Sequence, residues 1–257
     1  VVFALLPGSG LSVRHLALGH AMLEASSAVI DARGDDVLSE LLSQLEASLE
    51  SEHDAVTEAA VVLLGRAARY LPADSAHVRR VVERLLSALR TPSELVQEAV
   101  ASCLPALVRA SAAAKDVPSI VGRLFVDLLH GDKYATRRGA AYGLAGVVKG
   151  RGVSAIRELR ILARLSEAAH DTSTTTTRQG ALFAYELLAS TLHVLLEPYV
   201  DGILADLLLC FGDTHADVRE APQDAARVVM RSLRGQCLML ILPALLAGLA
   251  AELWRRT

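Results

Sequence analysis

The sequence is poor in several residue types that mark particular classes of protein. It contains no Asn at all, so it offers no Asn-x-Ser/Thr acceptor for N-linked glycosylation. Aromatic residues make up only 4% of the 257 residues, although hydrophobic residues make up 52%. Most of the apolar residues are Ala, Leu and Val, and aromatic side chains are a feature of strands. The composition therefore predicts an all-α protein.

Cysteine is scarce as well. Cys103, Cys210 and Cys237 are odd in number and widely spaced, and the sequence has no Cys-x-x-Cys pair. A disulfide or a metal site is the alternative interpretation, but this pattern favours free thiols in a core. We therefore expect the chain to occupy a reducing compartment.

Recognised motifs of catalysis and targeting are also missing. The sequence has no Gly-x-Gly-x-x-Gly, Walker A, His-Glu-x-x-His or Gly-x-Ser-x-Gly pattern, and its eight His are scattered. This predicts that the chain is not an enzyme and has no catalytic residue, metal site, cofactor or small-molecule substrate. Residues 1–6 are apolar but lack a preceding basic region, so they do not resemble a signal peptide. Because the chain starts without Met inside an apolar run, we expect a fragment.

The most apolar run, residues 237–251, is interrupted by Pro243. It is shorter than the roughly 20 residues that cross a bilayer. The run therefore predicts a buried helix and no membrane association.

What the sequence does contain is a repeat. A pattern of a polar residue, then Glu or Gly, then Ala recurs at Ala59, Ala99, Ala140, Ala181 and Ala221, which are 40, 41, 41 and 40 residues apart. Helical signals at this period are typical of HEAT repeats, in which helix A, a turn and helix B form one unit. One unit cannot bury its own apolar face, so neighbours must stack. We predict an α-solenoid of HEAT repeats.

The period divides the chain into one solenoid, 1–257, that is incomplete at both ends. The approximate repeats are 1–32, 33–73, 74–115, 116–153, 154–195, 196–235 and 236–257. We expect a polar break at 31–36 and one continuous helix A over 154–170. Pro105 predicts a kink or an early end near Ala101, the Thr-rich run 171–177 predicts a loop, and Pro222 predicts a helix that begins near Ala221.

Three glycines mark the central helix, predicted from about Thr136 to Val148. Gly139, Gly143 and Gly146 are four and three residues apart, so they fall on one side of the helix. Each glycine costs about 1 kcal/mol relative to alanine inside a helix. Such a stripe predicts that another backbone approaches closely there.

Charge is distributed unevenly along the chain. Residues 24–58 carry ten acidic residues and one basic residue, whereas residues 131–164 carry eight basic and two acidic residues. The basic set is a candidate contact for the ribosome or for an acidic partner, because clustered cations bind a phosphate backbone. Its members are Lys133, Arg137, Arg138, Lys149, Arg151, Arg157, Arg160 and Arg164. The alternative is that these charges only solvate the surface.

A family resemblance is visible in the C-terminal half. The segment KYATRRGAAYGLAGVVKGRG at 133–152 resembles the large HEAT-repeat translational activator of general amino-acid control, which activates the eukaryotic initiation factor two alpha kinase. The similarity continues through RQGALFAYELL at 178–188 and LLLCFGDTHADVREAPQDAARVVM at 207–230. It is good over 125–257 and faint before that. The family's central region in turn resembles the HEAT part of fungal elongation factor three.

The resemblance implies a cytoplasmic, non-catalytic scaffold that associates with the ribosome, through ribosomal RNA or protein, and with other translation-control proteins. It further implies a role in promoting activation of the kinase under amino-acid starvation. The alternative is a HEAT-type transport or trafficking adaptor that holds a peptide or protein partner on its concave face. The low aromatic content argues mildly against the adaptor.

Overall fold

The computed structural model describes residues 13–51, 53–67, 70, 76–109 and 115–250. These residues form α-helices and a 3-10 helix, and none of them lies in a β-strand. The chain divides into two compact units, Val1–Val117 and Pro118–Thr257. The predicted all-α class is confirmed.

The described residues of the first unit form four α-helices. They are α1 (Val13–Ser48), α2 (Asp54–Ala67), α3 (Ala76–Ala88) and α4 (Glu94–Arg109). Helix α2 packs between α1 and α4, and α3 packs on α4. The side chains of Leu63, Val81, Leu85 and Leu104 are fully buried in this unit.

In the second unit, the part of the chain up to residue 250 forms eight α-helices and a 3-10 helix. They are α5 (Val117–His130), α6 (Tyr134–Arg151), α7 (Ser154–Glu158), α8 (Ile161–Ala169), α9 (Thr175–Leu192), the 3-10 helix (His193–Tyr199), α10 (Val200–Phe211), α11 (Ala216–Ser232) and α12 (Gly235–Ala250). The B helices α6, α9 and α11 pack side by side, and α8 and α10 pack on α9 and α11 as their A helices. Helices α8, α10 and α12 also contact one another in sequence, which makes a second layer.

The repeat marker occupies the same place in each hairpin. Ala59, Ala99, Ala140, Ala181 and Ala221 are the sixth or seventh residues of α2, α4, α6, α9 and α11. The first four are buried and Ala221 is half-buried. Two-helix repeats of the HEAT type are therefore confirmed, whereas the division of 1–257 into one continuous solenoid with the repeat bounds given above stays a prediction.

Two predicted helix boundaries are wrong. The polar stretch 31–36 does not break the chain, because α1 continues through it from Val13 to Ser48. That stretch contains no proline, and its single glycine costs only about 1 kcal/mol in a helix. Conversely, helix A of 154–170 is interrupted at Arg160, which has a φ of 50°. A residue in the left-handed region does not continue a right-handed helix, so α7 ends before Arg160 and α8 begins after it.

The proline and threonine predictions also need correction. Helix α4 runs past Pro105 to Arg109, so no early end occurs near Ala101. Helix α11 begins at Ala216 and holds Pro222 in its interior, not in its first turn. Both proline rings are buried, and their apolar contacts offset part of the lost backbone hydrogen bond. The last three residues of the Thr-rich run 171–177 belong to α9, so the loop is shorter than predicted.

The apolar run 237–251 is helical over Gly235–Ala250 but is not fully buried. Met239, Leu242 and Leu246 have exposed fractions of 70%, 43% and 56%. Their spacing of three and four residues puts them on one face of α12, away from the contact with α10. Among the described helices, none has the length and apolarity needed to cross a membrane.

A close backbone approach of the predicted kind is seen at a glycine of the next repeat. Gly139, Gly143 and Gly146 are all buried. Gly180, which aligns with Gly139, faces α5 so closely that a Cβ built on it would lie 2.1 Å from the carbonyl oxygen of Leu128. A side chain at this position would force the two helices apart.

Gly180→Ala should therefore destabilise the chain, although alanine is the better helix former. We expect a loss of about 1–3 kcal/mol in the free energy of unfolding, as is usual for overpacking. Urea titration followed by circular dichroism measures it. Gly122→Ala is the matched control, because a Cβ at Gly122 meets nothing within 4 Å, and an equal effect of both substitutions would refute the close approach.

Candidate interaction surface

A side chain in the first turns of each described B helix reaches back to the turn that precedes it. The donors and their acceptors are Thr57 Oγ1 to the Ser51 carbonyl at 3.3 Å, Gln97 Nε2 to Thr91 at 2.8 Å, Arg137 Nη1 to Gly131 at 2.8 Å, Arg178 Nη1 to Asp171 at 2.6 Å and Arg219 Nη1 to Thr214 at 2.8 Å. The last carbonyls of a helix have no partner inside the helix. We call these five contacts the turn clasps, because each fixes the end of helix A to the start of helix B.

Three of the clasps use an arginine, namely Arg137 of the predicted basic set and its repeat equivalents Arg178 and Arg219. Arg137 is 6% exposed and also donates from Nη2 to Gln179 Oε1 at 2.7 Å. Burial lowers the pKa of Arg137. Its repeat equivalent, Arg178, donates from Nε to Asp213 Oδ2 at 2.6 Å, and both side chains are at most 10% exposed. Arg137 is therefore a structural residue with no free surface for a phosphate.

Arg138 is likewise held inside the protein. Its guanidinium forms two hydrogen bonds with Glu186, at 2.7 and 2.9 Å, and lies near the rings of Tyr142 and Phe183. Burial alone would lower the pKa of Arg138, but the Glu186 carboxylate outweighs burial and raises this pKa. The bidentate pair ties α6 to α9, so Arg138 stabilises the stack of B helices.

The exposed members of the basic set lie at the connection between two repeats. Lys149 and Arg151 are in the last turn of α6, where cations interact favourably with the helix dipole. Arg157 is in the last turn of α7, and Arg160 is the left-handed residue before α8. All four are exposed. We call Lys149, Arg151, Arg157 and Arg160 the inter-repeat basic group.

The remaining two members of the set lie elsewhere. Lys133 is exposed but precedes α6, at the other end of an 18-residue helix. At 1.5 Å per residue it is about 27 Å from the end of that helix. Arg164 is half-buried, and its guanidinium carbon lies 3.5 Å from the centre of the Phe125 ring. The structure thus brings four of the eight candidate residues into one segment.

The acidic stretch 24–58 is neutralised in part within the first unit. Asp31 pairs with Arg66 of α2 at 3.0 Å, and Glu50 pairs with Arg84 of α3 at 3.1 Å. Glu46, which is 5% exposed, pairs with Arg80. The acidic residues named here serve contacts between helices. The inter-repeat basic group differs, because among the residues described only its Arg160 has a carboxylate nearby, that of Glu167 at 3.8 Å.

A second polar cluster was not found from the sequence. Asp206 of α10 is 3% exposed and accepts hydrogen bonds from the hydroxyls of Tyr185 and Ser166. Burial and the Asp206 carboxylate raise the pKa of Tyr185, so its hydroxyl remains the donor. These residues belong to three different helices and are 19 to 40 positions apart in the chain, and no local motif marks them.

The cluster does not have the geometry of a hydrolase. A catalytic triad needs the imidazole between the serine and the carboxylate. Here Ser166 Oγ bonds directly to Asp206 Oδ1, and His170 Nδ1 lies 2.8 Å from the Ser166 carbonyl oxygen. Within the described ranges, no group of three or more His, Cys, Asp or Glu is arranged to hold a metal ion.

The prediction that the cysteines are free thiols in the core is confirmed at two of the three positions. Cys103 and Cys210 are buried free thiols, and Cys237 is a half-buried free thiol. Burial, together with Asp213 and Asp206, raises the pKa of Cys210 to about 11. A thiol that stays protonated at neutral pH is a poor nucleophile and a poor metal ligand.

The chain is similar to known proteins along most of its length. Residues 137–256 match the family described as the EF3 N-terminal HEAT repeat. The chain is 43% identical over 250 residues to the human protein "Stalled ribosome sensor GCN1", covering 95% of this chain and 9% of that protein. It is 42% identical to "Protein ILITYHIA" of Arabidopsis thaliana, covering 91% and 9%.

The "eIF-2-alpha kinase activator GCN1" of Saccharomyces cerevisiae is 33% identical over 257 residues, covering 99% of this chain and 10% of that protein. The predicted resemblance to the HEAT-repeat kinase activator is confirmed. It extends over most of the chain, further than the 125–257 that the motifs marked. The chain spans about a tenth of the length of these relatives.

Arg178→Ala should destabilise the chain strongly, because it removes a turn clasp and leaves Asp213 without its buried partner. We expect a loss of about 3–5 kcal/mol in the free energy of unfolding, measured by urea titration. Arg160→Ala is the matched control: its side chain is 74% exposed, so no measurable change is expected. Similar losses for the two variants would contradict the assignment of Arg178 to the interior.

Proposed function

Because this chain is a relative of the GCN1 proteins along nearly its whole length, we propose that it is part of a non-catalytic scaffold in translational control. In this proposal the segment contacts the ribosome in the cytoplasm, through ribosomal RNA or a ribosomal protein, and works with other translation-control proteins. It thereby helps to promote activation of the initiation factor two alpha kinase under amino-acid starvation. The names of the human and yeast relatives, a stalled ribosome sensor and a kinase activator, support this function.

The observation that carries the proposal for this segment is the inter-repeat basic group. Lys149, Arg151, Arg157 and Arg160 lie within twelve consecutive residues and are all exposed. A local cluster of cations attracts a polyanion even when the whole chain is slightly acidic, as this one is at a net charge of -3. The group therefore suits a contact with phosphates of ribosomal RNA or with an acidic ribosomal protein.

Arg137 and Arg138 are left out of this proposed contact. Their guanidinium groups already bind turn carbonyls, Gln179 and Glu186. Reversing their charge would disturb the helix stack itself, so loss of ribosome binding in such variants would say nothing about the surface. Charge reversal in the exposed inter-repeat basic group changes the surface without disturbing the helix stack, so it separates a loss of binding from a loss of structure.

Co-sedimentation with purified eukaryotic 80S ribosomes at increasing salt tests the proposal. The variant with Lys149, Arg151, Arg157 and Arg160 all changed to Glu should bind at least about tenfold more weakly at low salt, with a shallower dependence of affinity on salt. The control carries Glu at four other exposed basic residues, Arg109, Lys115, Arg227 and Arg231, and has the same net charge. It should bind like the wild type.

Two outcomes would refute this role for the segment. One is no co-sedimentation of the wild-type chain even at low salt. The other is equal binding by the two charge-reversed variants, which would leave only a general effect of net charge. Salt-independent capture of a protein partner by a chain that does not bind ribosomes would instead favour the adaptor function.

A further inference from the structure

A cavity of about 270 Å³ lies between the A helices α8 and α10, against α9. Tyr185 and Asp206 are buried at its floor, whereas Tyr199 is half-buried and Gly202 is exposed. A Cβ built on Gly202 would meet no atom within 4 Å, so the backbone there borders open space. We call this cavity the Asp206 pocket.

The carboxylate in the pocket has unused capacity to accept hydrogen bonds. Tyr185 donates to Oδ2 and Ser166 donates to Oδ1, the latter at 3.1 Å. A carboxylate has about four acceptor sites, so about two remain. Among the described residues no arginine or lysine lies within 4.0 Å of Asp206, and its ion-pair neighbour is His170, with Nδ1 at 3.5 Å from Oδ1.

His170 does not supply the missing donor. Its Nδ1 lies 2.8 Å from the backbone carbonyl oxygen of Ser166, and a carbonyl oxygen only accepts. The proton on Nδ1 is therefore directed at that carbonyl and not at Asp206. A buried carboxylate without a full cationic partner is costly, and a cation from outside the chain would offset that cost.

The walls of the pocket indicate what kind of cation fits. Leu162 and Ile203 give the pocket apolar walls beside the Asp206 carboxylate, so it suits a cation that is carried on an apolar stem. Guanidinium groups stack on aromatic rings and bind carboxylates with paired hydrogen bonds. The chain itself shows such a contact on the other side of α8, where Arg164 lies 3.5 Å over Phe125.

We propose that the Asp206 pocket binds the side chain of an arginine from a partner polypeptide. The guanidinium donates to the free acceptor sites of Asp206 and lies against Tyr199, and the aliphatic stem contacts Leu162 and Ile203. A nucleic acid is disfavoured at this place, because the buried carboxylate repels phosphate. This protein contact is separate from the proposed ribosome contact of the inter-repeat basic group, and either stands if the other fails.

Two model peptides test the proposal directly on the whole chain. Acetyl-Gly-Arg-Gly-amide and its citrulline counterpart differ only in the charge and one donor group of the side chain. We expect the arginine peptide to shift the backbone amide signal of Gly202 and the ring signals of Tyr199 saturably in NMR titrations. The citrulline peptide should bind at least about tenfold more weakly, since a charge-assisted hydrogen bond is lost.

Two variants locate the binding. Asp206→Asn removes the charge, and Gly202→Leu fills the mouth of the pocket without touching Asp206. Both should weaken binding of the arginine peptide by about tenfold or more. Gly122→Leu, another helical glycine that borders open space, is the control and should leave the affinity unchanged.

The proposal is overturned by equal affinity for arginine and citrulline, by unchanged binding in Gly202→Leu, or by no saturable shift with the arginine peptide. If Asp206→Asn does not fold, Gly202→Leu and the citrulline comparison decide the question alone. These results do not depend on whether the chain sediments with ribosomes.

Discussion

The turn between helix A and helix B is held closed by a side chain from the start of helix B. Thr57, Gln97, Arg137, Arg178 and Arg219 differ in chemistry, yet each donates to a backbone carbonyl of the turn that follows helix A. An unpaired carbonyl away from water costs about 1–3 kcal/mol. The contact therefore fixes how the two helices of a repeat meet, and the packing of one repeat on the next follows from it.

This constraint divides the arginines of the chain into two groups. Arg137, Arg138 and Arg178 are tied to carbonyls, to Gln179 or to carboxylates inside the stack of B helices. Lys149, Arg151, Arg157 and Arg160 lie at the connection between repeats, and they remain exposed. A count of charges along the sequence gives both groups the same weight, whereas the fold leaves only the second for a partner. The Asp206 pocket adds a site of opposite charge in the layer of A helices.

The repeat period could be predicted from the sequence because the marker alanine is a packing requirement in every hairpin, and the described helices place Ala59, Ala99, Ala140 and Ala181 in buried, matching positions. A close approach was predicted for Gly139, Gly143 and Gly146, where it stays a prediction, and the structure shows one at Gly180. The boundaries at 31–36 and at Pro222 were not predictable, since burial of the flanking residues Ile30, Leu41, Val218 and Ala225 outweighs the cost of the glycine or the proline. The burial of Arg137 depends on Gln179, 42 residues later, and Tyr185 meets Asp206 across 21 positions. Such contacts leave no local pattern.

The most direct test of this account is the chemical reactivity of individual arginines in the folded chain. 4-Hydroxyphenylglyoxal adds to accessible guanidinium groups, and peptide mass spectrometry gives the rate at each position. The account predicts rapid modification of Arg151, Arg157 and Arg160, and protection of Arg137 and Arg178 until the chain is unfolded in denaturant. Modification of Arg137 and Arg178 in the native chain at the rate of Arg157 would contradict it.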